Sequence, residues 1–178
     1  MKNETLAVLR IALLGDEKAF GQLVGFYQAP IRRFFFNMTN GDEEVSKDLA
    51  QETFIKAWLN IRTFQAASKF STWLYRIAYN TFYDHIRAKK PTESLDAKTM
   101  GNHPIAASHN KDFDIDFLQA LKVLNEDERS IMLLFYMEDQ TIDTISKIMN
   151  CPSGTVKSYL SRGKKKLAVF FKNSEYDK

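Results

Sequence analysis

The amino-acid sequence predicts an all-α protein made of two small helical domains joined by a flexible linker. Apolar residues recur every three or four positions from Thr5 to Lys90 and again from Phe113 onward, which is the period of an amphipathic helix. The strict alternation of a half-buried strand is missing from both stretches. The helical period stops over residues 91–111, where two of the four prolines fall. A chain of 178 residues, 44% of them apolar, is long enough for two such domains.

The first domain, predicted at residues 1–90, divides into four helices. We expect them near residues 5–13, 16–38, 42–62 and 71–89. The breaks fall at Gly15-Asp16, at Asn40-Gly41-Asp42 and at 65–69. Asp16 and Asp42 stand where an N-cap side chain would accept backbone N–H groups of the following helix.

Residues 91–111, "PTESLDAKTMGNHPIAASHNK", are predicted to be the linker because they combine prolines, a glycine and scattered polar residues. A flexible chain of this length has an r.m.s. span of about 25 Å and an extended limit of about 70 Å. Such a linker would let the two domains bind at separate places.

The second domain, predicted at residues 112–178, separates its charges along the chain. Helical patterns cover 117–125, 129–136 and 142–149, and a further helix begins at 153. The acidic run Glu126-Asp127-Glu128 fits the first turn of the second of these helices. Residues 112–152 carry three basic and nine acidic groups, whereas residues 153–178 carry seven basic and two acidic groups. This segregation indicates an anionic partner for the carboxyl-terminal helix.

Residues 142–167 predict a helix-turn-helix, because two short amphipathic helices are separated only by Asn150-Cys151-Pro152. Ser153 is the expected N-cap of the second helix. On a helical wheel, one side of that helix is apolar and within about 60° of arc: Val156, Leu160, Gly163 and Leu167. The opposite side mixes short polar and basic residues: Lys157, Ser158, Ser161, Arg162 and Lys165. Serines would allow this side to approach base edges in the major groove of DNA.

Two alternatives exist for this basic helix, namely a merely solvated helix and a helix lying on a membrane. A membrane-surface helix favours large apolar residues on a broad face. The apolar face here is narrow and contains Gly163, so DNA binding is the favoured interpretation.

The first domain contains a second candidate nucleic-acid surface in "KFSTWLYRIAYNTFYDHIRAKK", residues 69–90. One side of the predicted helix carries Trp73, Arg76, Asn80, Tyr83 and Arg87, a combination suited to stacking on bases and contacting phosphates. Trp73 could alternatively belong to the core.

The stretch "DLAQETFIKAWLNI", residues 48–61, has apolar residues on two sides of one predicted helix. Leu49, Thr53, Phe54 and Ala57 can face the domain core. Ile55 and Leu59 then lie on the other side with Asp48, Gln51 and Glu52, and would pack on another helix or on a partner protein.

Several function classes are not supported by the sequence. The net charge is only +3, and one cysteine, Cys151, cannot form an internal disulfide. No convincing signal peptide, membrane-spanning run, phosphate-binding loop, nucleophile elbow or metal-ligand cluster is found. We therefore expect a cytoplasmic protein that is not an enzyme, inserts into no membrane and requires no cofactor or metal.

These residues, in this order, resemble bacterial sigma factors of the extracytoplasmic-function (ECF) group in the sigma-70 family. "DLAQETFIKAW" is similar to the segment that holds the clamp helices of core RNA polymerase, and "FSTWLYRIAYNTFYDHIR" to the segment that opens and reads the −10 promoter element. "LNEDERSIMLLFYMEDQTIDTISKIMNCPSGTVKSYLSRGKKKL" is similar to the domain that reads the −35 element. The resemblance implies a transcription initiation factor whose partners are core RNA polymerase and promoter DNA, with an anti-sigma factor as a further candidate.

The resemblance also implies roles for individual residues. Contacts to polymerase would come from Asp48, Gln51, Glu52, Ile55 and Leu59. Contacts at the −10 element would come from Lys69, Ser71, Thr72, Trp73, Arg76, Asn80, Tyr83 and Arg87, with the loop 65–72 receiving a flipped base. Contacts at the −35 element would come from Ser153, Thr155, Lys157, Ser158, Ser161, Arg162, Lys164 and Lys165, of which Thr155, Lys164 and Lys165 would hold the phosphate backbone.

The chain departs from the family pattern at a few positions. Asp139 and Asn150 replace common glycines, and asparagine tolerates the left-handed backbone expected at the end of a helix. Tyr159 and Ser161 stand where many relatives carry Arg, His or Phe, so another member's promoter is not carried over. The main alternative function is an autonomous helix-turn-helix regulator acting as a dimer, which would not need a polymerase-binding helix.

Overall fold

A computed structural model describes residues 4–64, 68–89 and 111–176. These residues form eight α-helices and one 3₁₀ turn and contain no strand. The helices are α1 (Glu4–Leu14), α2 (Glu17–Met38), α3 (Glu43–Asn60), α4 (Phe70–Lys89), α5 (Lys111–Lys122), α6 (Glu126–Tyr136), α7 (Ile142–Met149) and α8 (Ser153–Tyr176), and the 3₁₀ turn Ile61–Thr63 follows α3. The predicted all-α class is confirmed.

The chain forms two compact units, one of Met1–Phe35 with Glu44–Ala97 and the other of Phe36–Glu43 with Lys98–Lys178. The predicted domain boundaries at 90 and 112 stay predictions. The linker predicted at 91–111 lies outside the described residues except for Lys111, which already begins α5.

In the first unit, each helix contributes one apolar stripe to a shared core. Side chains at most 3% exposed come from all four helices: Val8, Ile11, Leu23, Ile31, Phe34, Leu49, Ala57, Leu74 and Ala78. Polar contacts fix the first two helices, because the Tyr27 hydroxyl hydrogen-bonds to the Glu4 carboxylate and Arg10 pairs with Asp16 across 2.6 Å.

The predicted N-cap at Asp16 is confirmed. Its Oδ1 accepts the N–H of Ala19 at 3.0 Å, and this backbone hydrogen bond lowers the pKa of the Asp16 carboxyl. Gly15 precedes it with φ +62°, a left-handed conformation that favours glycine. The capping role of Asp42 stays a prediction.

In the second unit, α8 packs against α5, α6 and α7. Its core is formed by Leu118, Leu121, Leu124, Ile131, Leu134, Ile145, Ile148, Val156 and Leu160. Asn125 and Glu128 form a capping box that starts α6, so the acidic run does occupy a first turn as predicted. Buried Arg129 donates to the carbonyl oxygens of Leu121 at 3.1 Å and Leu124 at 3.3 Å, which ties α6 to the preceding helix end.

The helix-turn-helix of α7 and α8 is present, with one correction at its turn. Asn150 has φ 52° and ψ 48°, the left-handed conformation that the sequence predicted. Asp139, before α7, is also left-handed, at φ 49°, so both glycine replacements are accommodated. The prediction that Ser153 is the N-cap was wrong, because the Val156 N–H bonds to the Pro152 carbonyl, which puts Pro152 at the cap and Ser153 inside the helix.

Candidate polymerase and nucleic-acid interfaces

The first candidate surface is the α3 outer face, formed by Asp48, Gln51, Glu52, Ile55 and Leu59. All five side chains are exposed, and Ile55 and Leu59 remain 51% and 72% accessible. The opposite side of the helix is closed, because Leu49, Thr53 and Ala57 are at most 2% exposed. The predicted division of α3 into two faces is thus confirmed except at Phe54, which was expected in the core but is half-buried and lines the groove described next. The outer residues Ile55 and Leu59 have no place in this unit's core.

A groove that the sequence did not reveal extends the α3 outer face toward α2. It has a volume of about 640 Å³, and its walls include Phe20, Val24 and Trp58 besides Ile55 and Leu59. Phe20 and Trp58 pack with their ring centroids 4.9 Å apart. Phe20 and Val24 lie four residues apart, which could have indicated a second apolar stripe on α2.

One member of the α3 outer face also takes part in a charge network. Glu52 pairs with Lys56 at 2.8 Å, and Lys56 reaches Asp84 of α4 at 3.5 Å. Burial opposes the charged form of Lys56, but its hydrogen bonds and charge attraction to the two carboxylates leave its pKa raised.

The second candidate surface, called the α4 exposed face after its accessible members, comprises Lys69 just before α4 and seven residues of the helix: Ser71, Thr72, Trp73, Arg76, Asn80, Tyr83 and Arg87. Lys69, Arg76, Asn80 and Arg87 are exposed, whereas Ser71, Trp73 and Tyr83 are half-buried. Thr72 is only 7% exposed, so its side chain lies against the core. The exposed cations line one side of the helix, as the wheel predicted.

Trp73 belongs to an aromatic cluster that the wheel did not predict. Its ring centroid is 5.7 Å from that of Phe64 and 5.6 Å from that of Phe70, and those two are 5.9 Å from each other. Trp73 therefore packs against two rings and remains half-buried, which is intermediate between the two predicted roles. Residues 65–67 of the loop predicted to receive a base lie outside the described residues.

The third candidate surface is the α8 outer face, formed by Ser153, Thr155, Lys157, Ser158, Ser161, Arg162, Lys164 and Lys165. Ser153 and Thr155 are half-buried, and the other six are exposed. The Ser158 hydroxyl donates to the Gly154 carbonyl at 2.9 Å, which leaves its oxygen as a hydrogen-bond acceptor. The Lys164 ammonium lies 5.6 Å from the ring centroid of Tyr136.

The inner side of α8 is held at a fixed distance from α6. Gly163 is buried there, and a Cβ at this position would lie 3.1 Å from Cγ and 3.2 Å from Sδ of Met132. Lys166 donates to the buried Glu128 carboxylate at 2.6 Å, which links the helix to the α6 capping box. These contacts explain why α8 presents a single defined side to solvent.

Tyr159 is a further candidate interface residue. In the sequence it stood out only because many sigma factors carry a different residue at this position. Its hydroxyl donates to Asp127 Oδ2 at 3.2 Å, and the Arg162 guanidinium carbon lies 4.4 Å from its ring centroid. The nearby Asp127 charge raises the pKa of the Tyr159 hydroxyl. Tyr159 and Asp127 are 32 residues apart and lie on different helices, so a helical wheel could not predict their contact.

Other kinds of site find no support in the described part of the chain. No group of three or more His, Cys, Asp or Glu side chains there could hold a metal ion. Over the same residues, no helix is long and apolar enough to span a membrane. Cys151 is half-buried, and burial raises the pKa of its thiol, which disfavours the reactive thiolate.

Comparison with known proteins covers both units. The family model for sigma-70 region 2 matches residues 23–92, and that for sigma-70 region 4 matches residues 115–167. The ECF RNA polymerase sigma factor SigW of Bacillus subtilis strain 168 is 35% identical over 167 residues, covering 86% of this chain and 89% of SigW. The RNA polymerase sigma-H factor of Pseudomonas aeruginosa is 34% identical over 164 residues, covering 84% of both chains.

Among solved structures, the sigma factor RpoE of Bartonella quintana, crystallised with the anti-sigma factor NepR, matches with a TM-score of 0.73. The match is 26% identical and covers 87% of this chain and 98% of RpoE. The helix-turn-helix, the two helical units and the extent of these matches agree with one another: the chain belongs to the ECF group of sigma-70 family RNA polymerase sigma factors.

Proposed function

We propose a division of labour among three surfaces of this promoter-directing transcription initiation factor. The α3 outer face binds core RNA polymerase, the α4 exposed face works at the −10 element, and the α8 outer face reads the −35 element. The observation that carries the proposal is the exposure of Ile55 and Leu59 on a helix whose opposite side is closed by its own domain.

The α3 outer face has the composition of a protein-binding surface. Two large exposed apolar side chains, Ile55 and Leu59, form its carboxyl-terminal half and also line the groove along α2. Asp48, Gln51 and Glu52 precede them on the helix and supply groups that can hydrogen-bond or pair with a partner's cations, so the face combines apolar and polar contacts as protein interfaces do. Burying the exposed apolar area would contribute about 25 cal/mol per Å².

The α4 exposed face combines stacking with phosphate binding. The part-exposed ring of Trp73, supported by Phe64 and Phe70, offers a platform for an unpaired base. Arg76 and Arg87 would contact phosphates, Lys69, Asn80 and Tyr83 would contact the same strand, and Ser71 and Thr72 would support the base-receiving loop. Extracting a base from duplex DNA costs a few kcal/mol, which stacking and a pocket must offset.

The α8 outer face suits the major groove of duplex DNA. Ser158 and Ser161 are small enough to let the helix approach, and Lys157 and Arg162 can then reach base edges. Because the Ser158 hydroxyl donates its hydrogen bond to the Gly154 carbonyl, its oxygen would accept a hydrogen bond from the amino group of adenine or cytosine. Ser153, Thr155, Lys164 and Lys165 would contact the phosphate backbone, which sets register without reading sequence.

We further propose that the protein acts in the cytoplasm beside its polymerase, catalyses no reaction of its own and requires no cofactor. Sigma factors are non-enzymatic, which supports the second of these statements. The co-crystallisation of RpoE with NepR supports an anti-sigma factor as a further partner.

The proposal is tested by mixing the purified protein with bacterial core RNA polymerase and following complex formation by size-exclusion chromatography. We expect stoichiometric co-elution, weakened when Asp48→Ala and Gln51→Ala are combined with Leu59→Ala. Arg162→Ala is the matched control and should co-elute like the unaltered protein. Absence of co-elution with a competent polymerase would overturn the polymerase assignment and favour the autonomous regulator.

A further inference from the structure

Tyr159 connects two oppositely charged side chains in the second unit. Arg162 lies three residues further along α8, so the two side chains are neighbours on the helix surface. The Arg162 guanidinium carbon is 4.4 Å from the ring centroid, well within the range over which a guanidinium and an aromatic ring attract each other. The Tyr159 hydroxyl also donates to Asp127 in the first turn of α6, at 3.2 Å.

This arrangement restricts a side chain that would otherwise be mobile. An exposed arginine samples many rotamers, and ordering it on binding costs conformational entropy. The Tyr159 ring limits the positions of the guanidinium, and the hydrogen bond to Asp127 limits the ring. Arginine carries five N–H donors, so its contact with Tyr159, including a hydrogen bond between the two side chains, leaves donors available for a base.

We propose that Tyr159, anchored by Asp127, is a positioning residue that holds Arg162 for bidentate hydrogen bonding to a guanine in the −35 duplex. The inference rests on the proposed function of the α8 outer face and deepens it by naming the residues that orient Arg162. Guanine presents two acceptors, O6 and N7, in the major groove, and the planar fork of arginine matches both.

A purely structural role for Tyr159 would have different consequences. If its hydrogen bond only fastened α8 to α6, loss of the bond would weaken binding to all DNA sequences alike. A positioning role instead predicts loss of discrimination at one base pair, with little change in binding to unrelated duplexes. The two roles are therefore separated by the pattern across sequences.

The test uses holoenzyme reconstituted with core polymerase and duplexes carrying every single-pair change in a −35 sequence selected by the unaltered holoenzyme. For Tyr159→Leu, we expect discrimination for guanine over other bases at one position to fall at least fivefold, while affinity for unrelated duplex changes less than twofold. Tyr159→Phe keeps the ring and should lose part of the discrimination. Asp127→Ala should match Tyr159→Phe, whereas Asp127→Asn keeps an acceptor for the hydroxyl and should restore discrimination.

Arg162→Ala provides the reference and separates the failure modes. In an Arg162→Ala background, Tyr159→Leu should have no further effect on discrimination. Additive losses, equal losses on all sequences, or unchanged discrimination in both Tyr159 variants would overturn the positioning role while leaving the proposed function intact. If Arg162→Ala itself left promoter binding unchanged, the assignment of α8 would fail instead. Circular dichroism confirms that each variant is folded.

Discussion

The α4 exposed face and the α8 outer face both present cations, but they differ in the residues that accompany those cations. On α4 the neighbours are aromatic, and Trp73 rests on Phe64 and Phe70. On α8 the face itself is made of serines, a threonine and cations, and the nearby rings of Tyr159 and Tyr136 lie against the cations Arg162 and Lys164. Rings that can stack suit unpaired bases, whereas short polar side chains suit the edges of paired bases. Under the proposed function, this difference would let one protein read the two promoter elements in two physical states of DNA.

The largest effect that would test this comparison is expected at Trp73. Trp73→Ala removes the platform, and base–aromatic stacking contributes about 1–3 kcal/mol per base, so initiation should fall by about fivefold to 150-fold. Run-off transcription from a duplex promoter measures the effect. Trp73→Phe keeps a ring and should retain most of the activity. An alanine variant as active as the unaltered protein would remove the aromatic side of the comparison.

The comparison is sharpened by a variant that disturbs only the packing beneath α8. Gly163→Val places side-chain atoms against Met132, and overpacking of this kind costs about 1–3 kcal/mol of stability. Gly154→Ala is the control, since nothing lies within 4 Å of its added Cβ. In urea unfolding followed by circular dichroism, the midpoint of Gly163→Val should move to a lower urea concentration.

Tryptophan fluorescence gives that experiment an internal reference. Trp58 and Trp73 both lie in the first unit, on α3 and α4, so their signal reports the unfolding of that unit. A fluorescence transition that stays in place for Gly163→Val would confine the destabilisation to the second unit. Equal stability of the two glycine variants would show that the close approach of α8 and α6 is dispensable.

The smallest effect is expected for a phosphate contact on α8. Lys165→Ala should weaken binding to all promoter sequences alike and lower the slope of log affinity against log salt by about one. Lys122→Ala makes the same charge change on the exposed side of α5 and should leave the slope nearly unchanged. A sequence-dependent loss for Lys165→Ala would move this residue from backbone contact to base reading.

The helical periods were sufficient to predict the elements and most exposed faces, because burial in a helical domain follows position around each helix. Val156 and Leu160 are buried and Arg162 is exposed, as the wheel required. The predicted N-cap of α8 was wrong by one residue. Serine is a common N-cap, but the Pro152 carbonyl accepts the first backbone hydrogen bond of the helix.

Contacts between elements could not be read from a periodic pattern. Phe64 and Trp73 meet across a break between helices, and Tyr159 and Asp127 are 32 residues apart. The groove beside Ile55 requires the position of α2 relative to α3, which local spacing does not contain. Sequence therefore predicted most of the exposed side chains, with buried Thr72 as an exception, and the tertiary structure was needed to find what supports and orients them.

The most direct test compares two promoter probes bound by reconstituted holoenzyme, using a promoter selected from a random library. One probe carries the −10 element with its non-template strand unpaired and no −35 duplex, and the other carries both elements. Arg162→Ala should weaken binding to the longer probe about tenfold and leave the shorter probe unaffected, whereas Trp73→Ala should weaken both. Equal weakening of the two probes by Arg162→Ala, or an effect of Trp73→Ala confined to the longer probe, would contradict the assignment of paired and unpaired DNA to separate surfaces.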